Sequence, residues 1–199
     1  MLHTMNKTLT SLLLGAACTV PAYATDFVGA GAPGTLAIST TGDLALDAAG
    51  GSASATASTL VLVGGDADPT GCAGSNYSVL GLCQIQAVFT APGNYGFSWG
   101  YTTADGGGPA GDMFGVLVDG RAVTLSDLGG AVAQGGSVQF TANTSFGWYV
   151  NCTDCTGGAA TATITGLSVT AVPEPASWAL MLAGACGVAG RAWRRRLTA

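Results

Sequence analysis

The chain has 199 residues, only 9% of them charged, and 32 glycines, a composition that suits short strands joined by tight turns and argues against helical bundles. Its six basic residues are Lys7, Arg121, Arg191, Arg194, Arg195 and Arg196, so the stretch from Thr25 to Val172 keeps Arg121 alone against ten aspartates, a net of −9. A surface of that sign repels phosphate backbones and excludes nucleic acid as a partner. The same stretch has no histidine, lysine or glutamate, which removes Ser-His-Asp and Cys-His nucleophile pairs, histidine-ligated zinc and Schiff-base lysines.

Residues 1–24 read as a secretory signal. Lys7 supplies the positive start, Leu9 to Val20 a short apolar run, and Pro21 breaks it. Ala22 and Ala24 are the small residues a signal peptidase inspects, which places the cut after Ala24. Cys18 offers a lipoprotein alternative, but Gly15 stands where a lipobox carries leucine.

Residues 25–171 form one domain long enough to bury a core. Period-two patterning predicts nine strands: Gly34–Thr40, Ser54–Val63, Gln84–Thr90, Asn94–Thr103, Met113–Val118, Arg121–Leu125, Ser137–Ala142, Phe146–Asn151 and Ala160–Thr170. Turn chemistry separates them at Ala91-Pro92-Gly93, Asp105 to Pro109, Asp119-Gly120, Gly129-Gly130 and Gly135-Gly136, with Asp119-Gly120 the sharpest hairpin signal. The fold class is therefore all-β, an antiparallel β-sandwich with jelly-roll-like character. Along Asn94–Thr103, Tyr95, Phe97, Trp99 and Tyr101 share one face. That face is either the sandwich core or a platform on which sugar rings stack, and a domain poor in leucine favours the core. Phe146 and Trp148 repeat the pattern with Tyr149 turned the other way, which leaves Tyr101 and Tyr149 as the candidates for exposed ligand contact.

Four cysteines remain between the ends, Cys72, Cys83, Cys152 and Cys155, and an even count in an exported chain favours disulfides. Local pairing, Cys72 with Cys83 and Cys152 with Cys155, is preferred. A redox Cys-Thr-Asp-Cys pair and a four-thiolate zinc site are the alternatives. Asp66, Asp68, Asp105 and Asp112 lie in loops where carboxylates would suit Ca²⁺, or simply cap turn amides; no EF-hand or nonapeptide spacing is present, and no cofactor or metal is expected. Two aspartates could form a glycosidase pair, but nothing selects which two, so no catalytic residue is assigned and the chain is read as non-enzymatic.

Residues 172–199 are the most specific stretch. Pro173-Glu174-Pro175 is followed by an apolar run from Ala176 to Gly190 and then by Arg191, Arg194, Arg195 and Arg196. About fifteen apolar residues are near the lower limit for spanning a bilayer. The arginines fit a C-terminus held in the cytoplasm with the preceding domain outside. This order of parts resembles the PEP-CTERM protein-sorting domain. The resemblance implies an exported Gram-negative cargo, anchored in the inner membrane by its C-terminal helix and then cut near Pro173-Glu174-Pro175 by an exosortase, a membrane-embedded cysteine protease-like transpeptidase. It further implies a cell-surface or extracellular destination, often alongside exopolysaccharide. The segment from Asn94 to Asp119 also resembles, loosely, a strand–loop–strand of other PEP-CTERM cargo domains. The expected function is structural or adhesive in an extracellular matrix, with a carbohydrate-binding module on the same route as the alternative.

Overall fold

The alternation read between Asn94 and Thr103 is realised in a single long strand, Gly93–Thr103, whose Tyr95, Phe97 and Tyr101 turn inward and are buried. In the computed structural model the described residues are 23–41, 51–66, 83–152, 155, 157–172 and 182–186. They form strands β1 (Tyr23–Ala24), β2 (Leu36–Thr41), β3 (Ser52–Ala55), β4 (Thr59–Val63), β5 (Gln84–Phe89), β6 (Gly93–Thr103), β7 (Asp112–Val118), β8 (Arg121–Thr124), β9 (Ala133–Ala142), β10 (Phe146–Cys152) and β11 (Ala160–Thr170), with a 3-10 turn at Gly108–Ala110. One sheet, A, runs β3-β4-β11-β6-β9, with β1 added on β11; the other, B, runs β2-β5-β10-β7-β8. Every pairing described is antiparallel. From β4 onward the chain passes from sheet to sheet, except at the β7–β8 hairpin, so that β4-β11-β6-β9 faces β5-β10-β7-β8, the strand order of a jelly roll. The segment 182–186 is helical and exposed; among the described residues no helix is long and apolar enough to cross a membrane. Residues 1–22 of the expected signal (1–24) lie outside those residues.

The two sheets meet through aromatic rings. Trp148 of β10 lies with its ring centroid 5.4 Å from Phe97, 5.1 Å from Phe146, 6.1 Å from Phe89 and 5.5 Å from Phe27, mostly edge-on or tilted. Tyr95 stacks on Phe146 at 4.4 Å, and its hydroxyl donates to the Ala91 carbonyl at 2.8 Å. Such edge-to-face and offset contacts add about 0.5–1.5 kcal/mol per pair beyond area burial. The indole N–H of Trp148 is buried with no hydrogen-bond partner among the described residues, so its place is set by packing.

Three details depart from the sequence pattern. The predicted strand Ser54–Val63 is a hairpin, β3 and β4, because the Thr56 amide donates to the Thr59 carbonyl at 2.8 Å and the Thr56 hydroxyl accepts from the Thr59 amide at 3.1 Å. Thr56 makes this turn with its side chain, without the glycine or proline that would announce it. Second, Gly135-Gly136, read as a turn, lies inside β9: a Cβ at Gly136 would meet the Trp99 indole at 3.3 Å and one at Gly135 would meet the Trp99 carbonyl at 2.9 Å. These glycines admit Trp99 rather than reverse the chain. Third, β1 adds to β11 beside a register shift between Thr165 and Ser168, where Gly166 has φ +62°.

The Asp119-Gly120 hairpin is present between β7 and β8, with Asp119 itself at φ 51°. Its carboxylate accepts from the backbone amides of Asn143 at 2.9 Å, Thr144 at 2.7 Å and Ser145 at 3.2 Å. The Thr144 hydroxyl at 2.9 Å and the Asn143 side-chain amide at 3.1 Å donate to it as well. One side chain thus holds the turn between β9 of sheet A and β10 of sheet B. These donors, the Thr144 amide foremost, hold the carboxyl well below the usual carboxylate range.

Two predictions follow from this packing. A folded-state pKa depressed below the unfolded value stabilises above the unfolded pKa and is lost as pH falls through the folded one. Asp119→Asn, which tolerates the same left-handed backbone, should therefore lower the denaturant midpoint at neutral pH, with the gap to wild type closing as pH drops below about 4. Trp148→Ala should cost about 3–5 kcal/mol in the same measurement.

Candidate functional site

The residues that sequence reasoning singled out fall into three places. At the pole where the chain enters and leaves the sandwich, Tyr23 pairs with Thr170 and Ala24 with Val169. The antiparallel register brings the start of the domain and the segment leading to the tail side by side. A cut after Ala24 would remove the two-residue strand β1 from sheet A. Ala22, Pro173, Glu174, Pro175, Arg191, Arg194, Arg195 and Arg196 lie outside the described residues.

At the opposite sheet, three cysteines cluster. Cys152 and Cys155 are bonded to each other, with Cα atoms 5.0 Å apart, and both are about 1% exposed. Cys83 is disulfide-bonded too, and its carbonyl accepts from the Cys152 amide at 3.1 Å; Cys72 lies outside the described residues. The pairing of Cys152 with Cys155 is thus the one expected. It consumes two of the four thiolates that a zinc site would need, and its burial shields it from thiol exchange. Cys155 adopts φ 53°, the left-handed turn that lets the chain double back within three residues.

The third place corrects an expectation. Tyr101 and Tyr149 were the candidates for exposed ligand contact, and both are buried, at 1% and 0% exposure. Tyr101 stacks against Phe114 with centroids 6.3 Å apart, and its hydroxyl donates to the Asp112 carbonyl. Tyr149 faces outward from sheet B, as the alternation requires. Its hydroxyl is 3.1 Å from that of Thr124, and it crosses Gly115 so closely that a Cβ there would lie 2.6 Å from the phenol oxygen. Glycine at 115 is what gives the ring its bed. Burial pushes both phenols up, and Tyr95 up to about 12. The aromatic face of β6 is core, the reading that a leucine-poor domain favoured.

The loop aspartates serve the backbone. The Asp66 carboxylate accepts from the Gly158 amide at 2.8 Å, that of Asp105 from the Gly107 amide, and that of Asp127 from the Gly129 amide at 3.1 Å. Asp112, 1% exposed, accepts from the Thr103 hydroxyl at 2.9 Å, which in turn accepts from the Asp105 amide at 3.0 Å. This knot ties the end of β6 to the start of β7. Among the described residues no group of three or more His, Cys, Asp or Glu side chains is placed to hold a metal; Asp68 lies outside them. One shallow trough lies on the outer face of sheet A, lined by Gly100, Thr102, Gln134, Gly135, Thr161 and Thr163. It is uncharged and holds no acid–base pair. Sequence reasoning missed this trough, because its signal is an absence: glycines facing glycines at Gly100 and Gly135.

Comparison with known proteins bears on the tail. No curated protein is significantly similar to the chain. Among solved structures, a variant of Streptomyces PAC13 with uridine aligns over 58% of this chain and 76% of its own at 13% identity, with a TM-score of 0.17, too low an overlap to carry any argument. Residues 171–196 match the family model of the PEP-CTERM protein-sorting motif, the stretch in which the sequence shows Pro-Glu-Pro, an apolar run and arginines in that order. The chain thus carries a PEP-CTERM sorting motif, which implies export and sorting by an exosortase from a membrane-associated precursor.

Proposed function

We propose that the chain is a non-enzymatic surface or matrix protein whose sandwich has a structural or adhesive role in an extracellular polymer. Signal peptidase frees residues 25 onward. The apolar run from Ala176 to Gly190 holds the precursor in the inner membrane, with Arg191 and Arg194 to Arg196 in the cytoplasm, until the exosortase cuts near Pro173-Glu174-Pro175. The observation that carries the route is the sorting motif at residues 171–196. Two prolines in three residues deny the chain helical hydrogen bonds just outside the bilayer and leave an extended strip for a protease.

The role of the body follows from how its chemistry-bearing side chains are used. The aspartates 66, 105, 112, 119 and 127 accept hydrogen bonds from their own loops and strands, and the tyrosines 95, 101 and 149 are buried. Such groups stabilise a rigid domain and leave little to polarise a substrate. A carbohydrate-binding role through Tyr101 or Tyr149 loses its contact residues.

Mass spectrometry of the mature protein from its native cells checks the route. The expected species begins at Thr25, ends near Pro173-Glu174-Pro175, lacks Arg191 to Arg196, and keeps the bond between Cys152 and Cys155. A mature pool that retains the arginines refutes processing at the tail.

A further inference from the structure

Strand β9 closes sheet A on one side, and among the described residues no strand pairs with its outer edge. Its register with β6 is unbroken over ten residue pairs, from Gly93–Ala142 to Thr102–Ala133. The other terminal strands are shorter: β3 and β8 have four residues each and β2 has six. The hydrogen bond from the Thr103 amide to the Val132 carbonyl fixes the phase of the ladder. By the period of two, Gln134, Gly136, Val138, Phe140 and Ala142 turn their backbone groups to β6. Ala133, Gly135, Ser137, Gln139 and Thr141 turn theirs outward, and all five are exposed.

An edge of this length is ordinarily blunted by a charge, a proline, a bulge or a cover. The sequence Ala-Gln-Gly-Gly-Ser-Val-Gln-Phe-Thr-Ala has no charged residue and no proline, and its ladder has no register shift. The lack of charge also selects the partner. In a domain with a net charge of −9 most surfaces repel a second copy, but none of the five outward residues adds to that repulsion. An antiparallel pairing about a two-fold axis is self-complementary, each outward amide meeting an outward carbonyl of the same strand.

We propose that the outer edge of β9 is a self-pairing surface, at which a second copy of this chain adds its own β9 antiparallel and joins two A sheets into one. Pairing centred on the strand sets Ser137 opposite Ser137 of the second copy, with Cα atoms about 5.5 Å apart. The dimer presents two tails and a doubled hydroxyl-rich outer face. It gives the structural role proposed above a means of linking chains, and it rests on that reading only for its setting.

The test uses the purified full-length chain in detergent, with Cys18→Ser and Cys186→Ser so that neither terminal thiol can link copies. Ser137→Cys is oxidised mildly and resolved on non-reducing gels, and the linked peptide is identified by mass spectrometry. About 5.5 Å is a separation a disulfide spans, so a reducible dimer joined at position 137 is expected. Thr165→Cys, equally exposed but on the interior strand β11, should stay monomeric. Adding Gln139→Pro removes one outward amide while sparing the β6 ladder, and should abolish the dimer. Adding Ala133→Asp together with Thr141→Asp, two exposed positions that this pairing sets opposite each other, keeps every backbone amide but places like charges across the seam, and should reduce it. A monomeric Ser137→Cys chain with its bond between Cys152 and Cys155 intact overturns the proposal. So does a dimer that survives both Gln139→Pro and the aspartate pair, or one that forms equally through Thr165→Cys. Export and cleavage play no part in this measurement, so its failure is distinct from failure of the sorting route.

Discussion

Trp148 lies between the two sheets with the rings of Phe27, Phe89, Phe97 and Phe146 around it, and the rest of the structure depends on that cluster. A glycine-rich chain loses much backbone entropy on folding, and strands built from threonine, serine and alanine bury little apolar surface in return. Aromatic side chains bury 150–250 Å² each, so a few of them can hold together sheets whose other residues are small. That constraint reaches function directly. Rings required between the sheets cannot also lie flat on the outside to receive a sugar.

The same economy governs the polar groups. The body is strongly acidic, yet its aspartates fasten turns: Asp119 joins the crossing from β9 to β10, and Asp112 with Thr103 secures the crossing from β6 to β7. Disulfide bonding at Cys152 and Cys155 tightens the end of β10 beside Cys83. The acidic side chains are thereby committed to the fold, and its first and last strands lie side by side at one pole. The address is in the tail, and among the described residues the long outer edge of β9 has no strand paired to it.

Much of this was legible in the sequence, for reasons that can be stated residue by residue. The inward face of β6 followed from alternation, the hairpin at Asp119-Gly120 from turn chemistry, and the bond between Cys152 and Cys155 from spacing in an exported chain. The sorting tail was the most readable part, because three distinct features occur there in a fixed order. What escaped the sequence was tertiary. Gly135-Gly136 looks like a turn until Trp99 is placed across it, and Thr56 makes a hairpin through its amide and hydroxyl with no glycine or proline to announce it. Tyr149 does point away from the core, as alternation says; its burial depends on Gly115 beneath it and Thr124 beside it, neither a neighbour in sequence.

Residue-resolved nitration of the native, folded chain tests the central claim most directly, because the reagent attacks exposed, ionised phenols. Tyr95, Tyr101 and Tyr149 are buried with their phenols pushed up, whereas Tyr23 is 65% exposed. The account predicts modification of Tyr23 where it is retained, and protection of the other three until the sandwich is unfolded. Nitration of Tyr101 or Tyr149 in the folded chain would contradict it, since a ring that the reagent reaches is a ring that a ligand reaches too.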